Sequence, residues 1–111
     1  MEIVRTKRYL ASVTELMSDE VREAMERAIV EDPKAGDVIP GLAGIRKLRW
    51  ALPGRGKRGG VRTTYFHHDS AGTIYFLYVY AKNQQADLTP GDKKVLRDFV
   101  KMIKEEYKKR A

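Results

Sequence analysis

The eight residues from Ile74 to Ala81, IYFLYVYA, form the longest apolar run in the chain, and they restrict the fold more than any other stretch. A helical membrane span takes about 20 such residues, so this run is expected to be buried within protein. As a strand it carries Phe76, Tyr78, Tyr80 and Lys82 on one side and Tyr75, Leu77 and Val79 on the other. A strand that is apolar on both sides belongs inside a sheet, with neighbours at both edges.

The flanking segments supply those neighbours. Glu2 to Arg5 has extended character, and Tyr9, Leu10, Val13, Leu16 and Met17 recur at helical spacing. Ser18 opens a second helix, because its hydroxyl satisfies a free backbone N–H and Asp19 and Glu20 suit the positive helix start. Val21, Met25, Ala28 and Ile29 form its apolar stripe, and Pro33 stops it near Asp32. Gly36 to Gly44 reads as a structured loop.

Ile45 to Trp50 alternates, with Leu48 and Trp50 on one face and Lys47 and Arg49 on the other. Val61 to His67 is the next strand, placing Arg62, Thr64 and Phe66 together before a turn at Asp69 to Gly72. Thr89 caps a last helix, with Pro90 at its first position, Asp92 three residues after the cap, and Leu96, Val100 and Ile103 on its apolar face. The order β-α-α-β-β-β-α predicts one α+β domain over residues 1–111. Its sheet is expected to be small, four-stranded and mainly antiparallel, with helices packed on one face.

Charge is distributed unevenly over this frame. The chain has 22 basic and 15 acidic residues, yet Arg46, Lys47, Arg49, Arg55, Lys57, Arg58 and Arg62 fall within one stretch, and no Asp or Glu occurs from Val38 to His68. Cations that close repel one another unless a polyanion neutralises them, which points to nucleic acid. The absence of cysteine removes disulfides and thiol chemistry. With no apolar stretch at the N-terminus, the expected setting is the cytoplasm, without a membrane partner.

The residue types narrow the chemistry further. GRGKRGG lacks the spacing of nucleotide-binding glycine loops, so no small-molecule cofactor is expected. His67 and His68 are adjacent and point to opposite faces of a strand, and no carboxylates pair at metal-ligand spacing, so no metal site is expected. Arg, Lys and Tyr remain. They suit RNA cleavage in which the 2′-OH is the nucleophile and the protein orients it, offsets charge on the transition state and assists proton transfer. Tyr80 and Lys82 are expected on one face beside Arg62, with packing as the alternative role for Tyr80.

The segments IPGLAGIRKLRW, GRGKRGGVRTTYF and YVYAKNQQADLT, in that order, resemble the RelE/HigB-type toxins of type II toxin–antitoxin systems, in the RelE/ParE superfamily. The resemblance extends over nearly the whole chain. It implies a RelE/ParE-like fold, an endoribonuclease that cuts mRNA on the translating ribosome, and a cognate antitoxin protein as partner. Lys47 and Arg49 match the family's basic pair, Arg62 its next arginine and Lys82 a lysine after the apolar strand. Asn83 stands where many relatives have arginine, and Thr89 falls near an aromatic position of some relatives, which shifts proton transfer onto Lys82, Tyr80 or Lys57.

Two functions follow from these residues. In the first, Lys47, Arg49, Arg55, Lys57, Arg58 and Arg62 grip the RNA backbone, and Arg62, Lys82, Tyr80 and Lys57 form a metal-free catalytic set. In the second, the chain keeps the fold without the chemistry, as a gyrase-targeting toxin or an RNA-binding module.

Overall fold

The computed structural model describes residues 1–53 and 60–110. In chain order the elements are β1 (Glu2–Arg5), α1 (Lys7–Leu16), α2 (Asp19–Glu31), β2 (Asp37–Val38), β3 (Arg46–Trp50), β4 (Val61–His68), β5 (Thr73–Ala81) and α3 (Pro90–Arg110). The strands form one sheet in the order β1-β5-β4-β3-β2. Only the β1–β5 pairing is parallel, and β5 is an interior strand, as its two apolar faces require.

The α+β class holds, and two details of the expectation are corrected. The described sheet has five strands rather than four. The additional β2 lies within the segment read as loop, where Asp37 pairs with Lys47 and Val38 with Arg46. Arg46 secures this edge by donating from its guanidinium to the Gly36 carbonyl at 2.7 Å. Tyr65 adds a second tie, accepting from the Gly36 N–H at 2.9 Å and donating to the Pro33 carbonyl at 2.8 Å. A Cβ at Gly36 would lie 2.9 Å from that phenol, so only glycine allows this approach.

The helices also cover both faces of the sheet, not one. Tyr9 and Val13 of α1 and Met25 and Ile29 of α2 pack with Val61, Tyr65, Ile74, Phe76 and Val79. On the opposite face Leu96, Val100 and Ile103 of α3 pack with Phe66, Leu77 and Tyr80, together with Leu42 and Ile45 from the loop before β3. A sheet whose interior strand is apolar on both sides leaves one face wet unless it is covered twice.

Each helix begins on a side-chain cap. Thr6 accepts from the Tyr9 N–H and Ser18 from the Val21 N–H. Before α3, the Thr89 hydroxyl accepts from the Asp92 N–H and the Asp92 carboxylate accepts from the Thr89 N–H, both at 3.0 Å. This reciprocal pair is the capping box expected from the Thr89–Asp92 spacing.

Beneath α1 and α2 lies a buried charge. Glu26 is 3% exposed. It accepts from Arg5 at 2.7 and 3.0 Å, from the Tyr9 hydroxyl at 2.7 Å and from Arg22 at 3.1 Å, joining β1, α1 and α2. Burial alone would raise its pKa, but the hydrogen bonds from Arg5, Tyr9 and Arg22 outweigh it and hold the carboxyl below its ordinary value.

A folded-state pKa below the unfolded one stabilises the protein above the unfolded value, about 4.3 for Glu, and that stability is lost as pH falls through the folded value. Glu26→Gln is therefore expected to cost about 2 kcal/mol at neutral pH, from weakened charge-assisted bonds. Urea midpoints measured from pH 7 downward test this, and the gap between wild type and variant should narrow as the wild-type carboxyl protonates.

Candidate nucleic-acid interface

The candidate surface is built by cross-strand register. Arg49 pairs with Arg62, and Arg62 with Tyr80; one step along, Lys47 pairs with Thr64 and Thr64 with Tyr78. Register partners share a face, so Lys47, Arg49, Arg62, Tyr78 and Tyr80 stand together on the side that carries α3. Leu48 and Trp50 pack against the opposite cluster, as their alternation predicts.

Tyr80 lies beside Arg62 as expected, but by a different route. Thr64 pairs with Tyr78 and Tyr65 with Phe76, leaving Leu77 as an extra residue in β5. This bulge reverses the alternation. Phe76 faces α1 and α2, whereas Tyr75, Leu77, Tyr78 and Tyr80 all join the α3 side. The expected grouping of Phe76 with Tyr78 and Tyr80 is thereby corrected, as is the grouping of Val79 with Tyr75 and Leu77.

Residues of α1 and its cap hold the bulge. The Thr6 hydroxyl lies 3.1 Å from both the Phe76 and the Leu77 carbonyl, and the Val79 N–H donates to Ser12 Oγ at 3.1 Å. From the other edge, the Thr64 hydroxyl donates to the Tyr78 carbonyl at 2.9 Å.

The tyrosines differ in environment. Tyr78 donates to Gln85 at 3.2 Å, and the Arg8 guanidinium lies 4.6 Å from its ring centroid. Tyr80 stacks beside it with ring centroids 6.0 Å apart. Tyr80 is only 3% exposed, and its hydroxyl has no hydrogen-bond partner among the described residues. Burial, reinforced by the charge of Asp87 and opposed by Arg62, pushes its pKa up to about 12. This phenol stays protonated at neutral pH.

The remaining predicted residues divide into three groups. Arg49 is exposed and Arg62 half-buried. Lys82 follows β5, its N–H directed at the Gly60 carbonyl at 3.4 Å and its side chain exposed. Arg55, Lys57 and Arg58 lie outside the described residues. Thr89, near the aromatic position of some relatives, is committed to the α3 cap.

Sequence reasoning missed Asp87 and Lys93. Asp87 sits between the ammonium groups of Lys47, at 3.7 Å, and Lys93, at 3.9 Å. Arg8 was also missed, and it reaches round β5 to ion-pair with Asp92. An apolar groove of about 440 Å³, lined by Val21, Ala24, Trp50 and Pro53 among others, includes none of these cations. Among the described residues no group of three or more His, Cys, Asp or Glu could hold a metal ion, and no helix is long and apolar enough to cross a membrane.

The family model of the RelE toxin of the RelE/RelB toxin–antitoxin system matches residues 3–110. The chain belongs to the RelE toxin family. Its fold is similar to that of an E. coli RelE double mutant in the free state, with a TM-score of 0.54 and 18% identity over 77% of this chain and 86% of that chain. It is also similar to a chain of the intact E. coli RelBE toxin–antitoxin complex, with a TM-score of 0.51 and 19% identity over 70% of this chain and 92% of that one. At such identities the structural likeness carries the fold alone, and the family rests on the match along the sequence.

The unpartnered phenol on this RelE surface gives a direct test. A buried hydroxyl without a partner forfeits its hydration, so Tyr80→Phe should stabilise the protein by about 1 kcal/mol. A urea midpoint that falls instead would mean that the hydroxyl has a partner in solution.

Proposed function

We propose that this chain is the toxin of a toxin–antitoxin pair and cleaves mRNA on the translating ribosome by metal-free attack of the 2′-OH. The observation that carries this reading is the row Arg49, Arg62 and Tyr80 in direct register, flanked by Lys47. Strands fix side-chain direction, so this row offers a polyanion a preset line of charge rather than a mobile one.

In the proposed reaction the ribose 2′-oxygen attacks the adjacent phosphorus while its proton passes to solvent. The bond from phosphorus to the 5′-oxygen breaks, leaving a 2′,3′-cyclic phosphate and a 5′-hydroxyl. Lys47 and Arg49 hold the backbone, and Arg62 with Lys82 offsets charge on the pentacoordinate transition state. Lys82 or Lys57 supplies a proton to the departing oxygen. Tyr80, buried and held protonated, supports the face beside Arg62 and has no role as a base. The cations outside the described residues, Arg55, Lys57 and Arg58, extend the grip on RNA.

The partner proposed for this surface is an antitoxin with an acidic segment that covers Arg62 and Lys82, just as the RelE of the E. coli RelBE complex is held in a toxin–antitoxin assembly. Neutralising a fixed row of cations favours such a segment over a neutral one.

The decisive experiment compares wild type with Arg62→Ala and Lys82→Ala on translating ribosomes, with mRNA 3′ ends mapped and assayed for cyclic phosphate. A charge aimed at the transition state predicts a loss of about 10²-fold or more in cleavage rate, with much smaller change in ribosome association. Intact mRNA together with growth inhibition by the wild type would overturn the nuclease and leave a binder that uses the same fold, such as a gyrase-targeting toxin.

A further inference from the structure

Asp87 is a carboxylate placed against a basic face. Its side chain is 57% exposed, yet it stands between two ammonium groups from separate elements, Lys47 of β3 at 3.7 Å and Lys93 in the first turn of α3 at 3.9 Å. Asp87 is the only ion-pair partner of either lysine among the described residues. The loop fixes it there: Asp87 Oδ1 accepts from the Leu88 N–H at 2.7 Å, and the Asp87 carbonyl accepts from Gln85 at 2.9 Å.

We propose that Lys47 and Lys93 form a phosphate subsite of the RNA surface, occupied in the free protein by Asp87 as an internal counter-ion that an incoming phosphate displaces. The proposal rests on the RNA reading above and extends it from the sheet to the start of α3. Both contacts exceed hydrogen-bond length and both lysines are partly exposed, at 33% and 40%. Such pairs are weak and solvent-screened, so exchange for a phosphate is not costly. Lys47 is also two residues from Arg49 on the same face, about 7 Å along the strand. That spacing is comparable to the separation of neighbouring phosphates, so one RNA strand can meet Arg49 and the Lys47–Lys93 pair in succession.

Two nearby acids are distinguishable from Asp87. Asp92 is engaged by Arg8, Thr89 and Gln85. Asp37 is the register partner of Lys47 on β2 but makes no ion pair with it. Asp37→Asn therefore removes one charge from the neighbourhood without freeing the two lysines.

The test measures binding of a short fluorescein-labelled single-stranded RNA to the full chain across a salt series, with the wild type, Asp87→Asn, Asp37→Asn, Lys93→Gln and the Asp87→Asn/Lys93→Gln double variant. Asp87→Asn should tighten binding by about threefold to tenfold at low salt and steepen the slope of log affinity against log salt by up to about 0.7, one phosphate on a single strand. Asp37→Asn should do less, and the double variant should return to within about twofold of wild type, a coupling expected only of groups in contact.

Equal gains from both single Asp variants, or no gain from Asp87→Asn, would overturn the subsite. Tighter binding accompanied by a loss of about 10²-fold or more in cleavage would overturn the counter-ion role, making Asp87 a proton acceptor. The RNA reading fails separately, if wild-type binding is absent or indifferent to Arg49→Ala.

Discussion

The geometry of the basic face depends on one extra residue in β5 and on the hydroxyl that accommodates it. Leu77 interrupts the β4–β5 ladder, and Thr6 bonds the carbonyls on either side of the break while also capping α1. Without the interruption, strict alternation would direct Tyr80 toward α1 and α2, away from Arg62. The place opposite Arg62 would pass to Val79, and the aromatic floor of the face would be lost with it. A bulge next to a functional surface is a recurrent way to re-aim a side chain, and here it re-aims two tyrosines at once.

β1 pairs only with Thr73 to Phe76, so the edge of β5 beyond it has no strand neighbour among the described residues. α1 closes it instead. Ser12 satisfies the Val79 N–H, and Arg8 passes round the edge to Asp92 and the Tyr78 ring, joining the helix on one face of the sheet to the helix on the other. Asp92 is held below the ordinary carboxyl pKa: burial would raise it, but bonds from Thr89 and Gln85 and the charge of Arg8 prevail. The start of α3 is thus anchored both by its own cap and by α1. That fixes the frame from which Lys93 reaches Asp87.

Much of this was legible in the sequence because it depended on local rules. Ser18 and Thr89 were readable as caps, Leu48 and Trp50 as inward residues, and Arg62 with Lys47 and Arg49 as one outward set. The bulge was not legible, since IYFLYVYA is apolar in either phase and an inserted residue leaves no polar mark. β2 was missed because two residues of strand are defined by their partner and carry no pattern of their own. The Asp87 contacts join residues far apart in the chain, and Glu26 sat among exposed-looking charges on α2, where nothing in the spacing distinguishes a buried carboxylate from a solvated one.

The parallel pairing of β1 with β5 governs the order in which the chain can be completed. Thr6 bonds Phe76 across 70 residues of sequence, and closing so long a loop carries an entropic cost that no local contact offsets. During synthesis, residues 2–5 stay without their sheet neighbour until residues 73–76 have left the ribosome. The bulge then waits for Thr6, and the orientation of Tyr78 and Tyr80 waits for the bulge. The surface proposed to act on translating ribosomes is therefore among the last parts of the molecule to form, so a nascent chain remains without it while still being made.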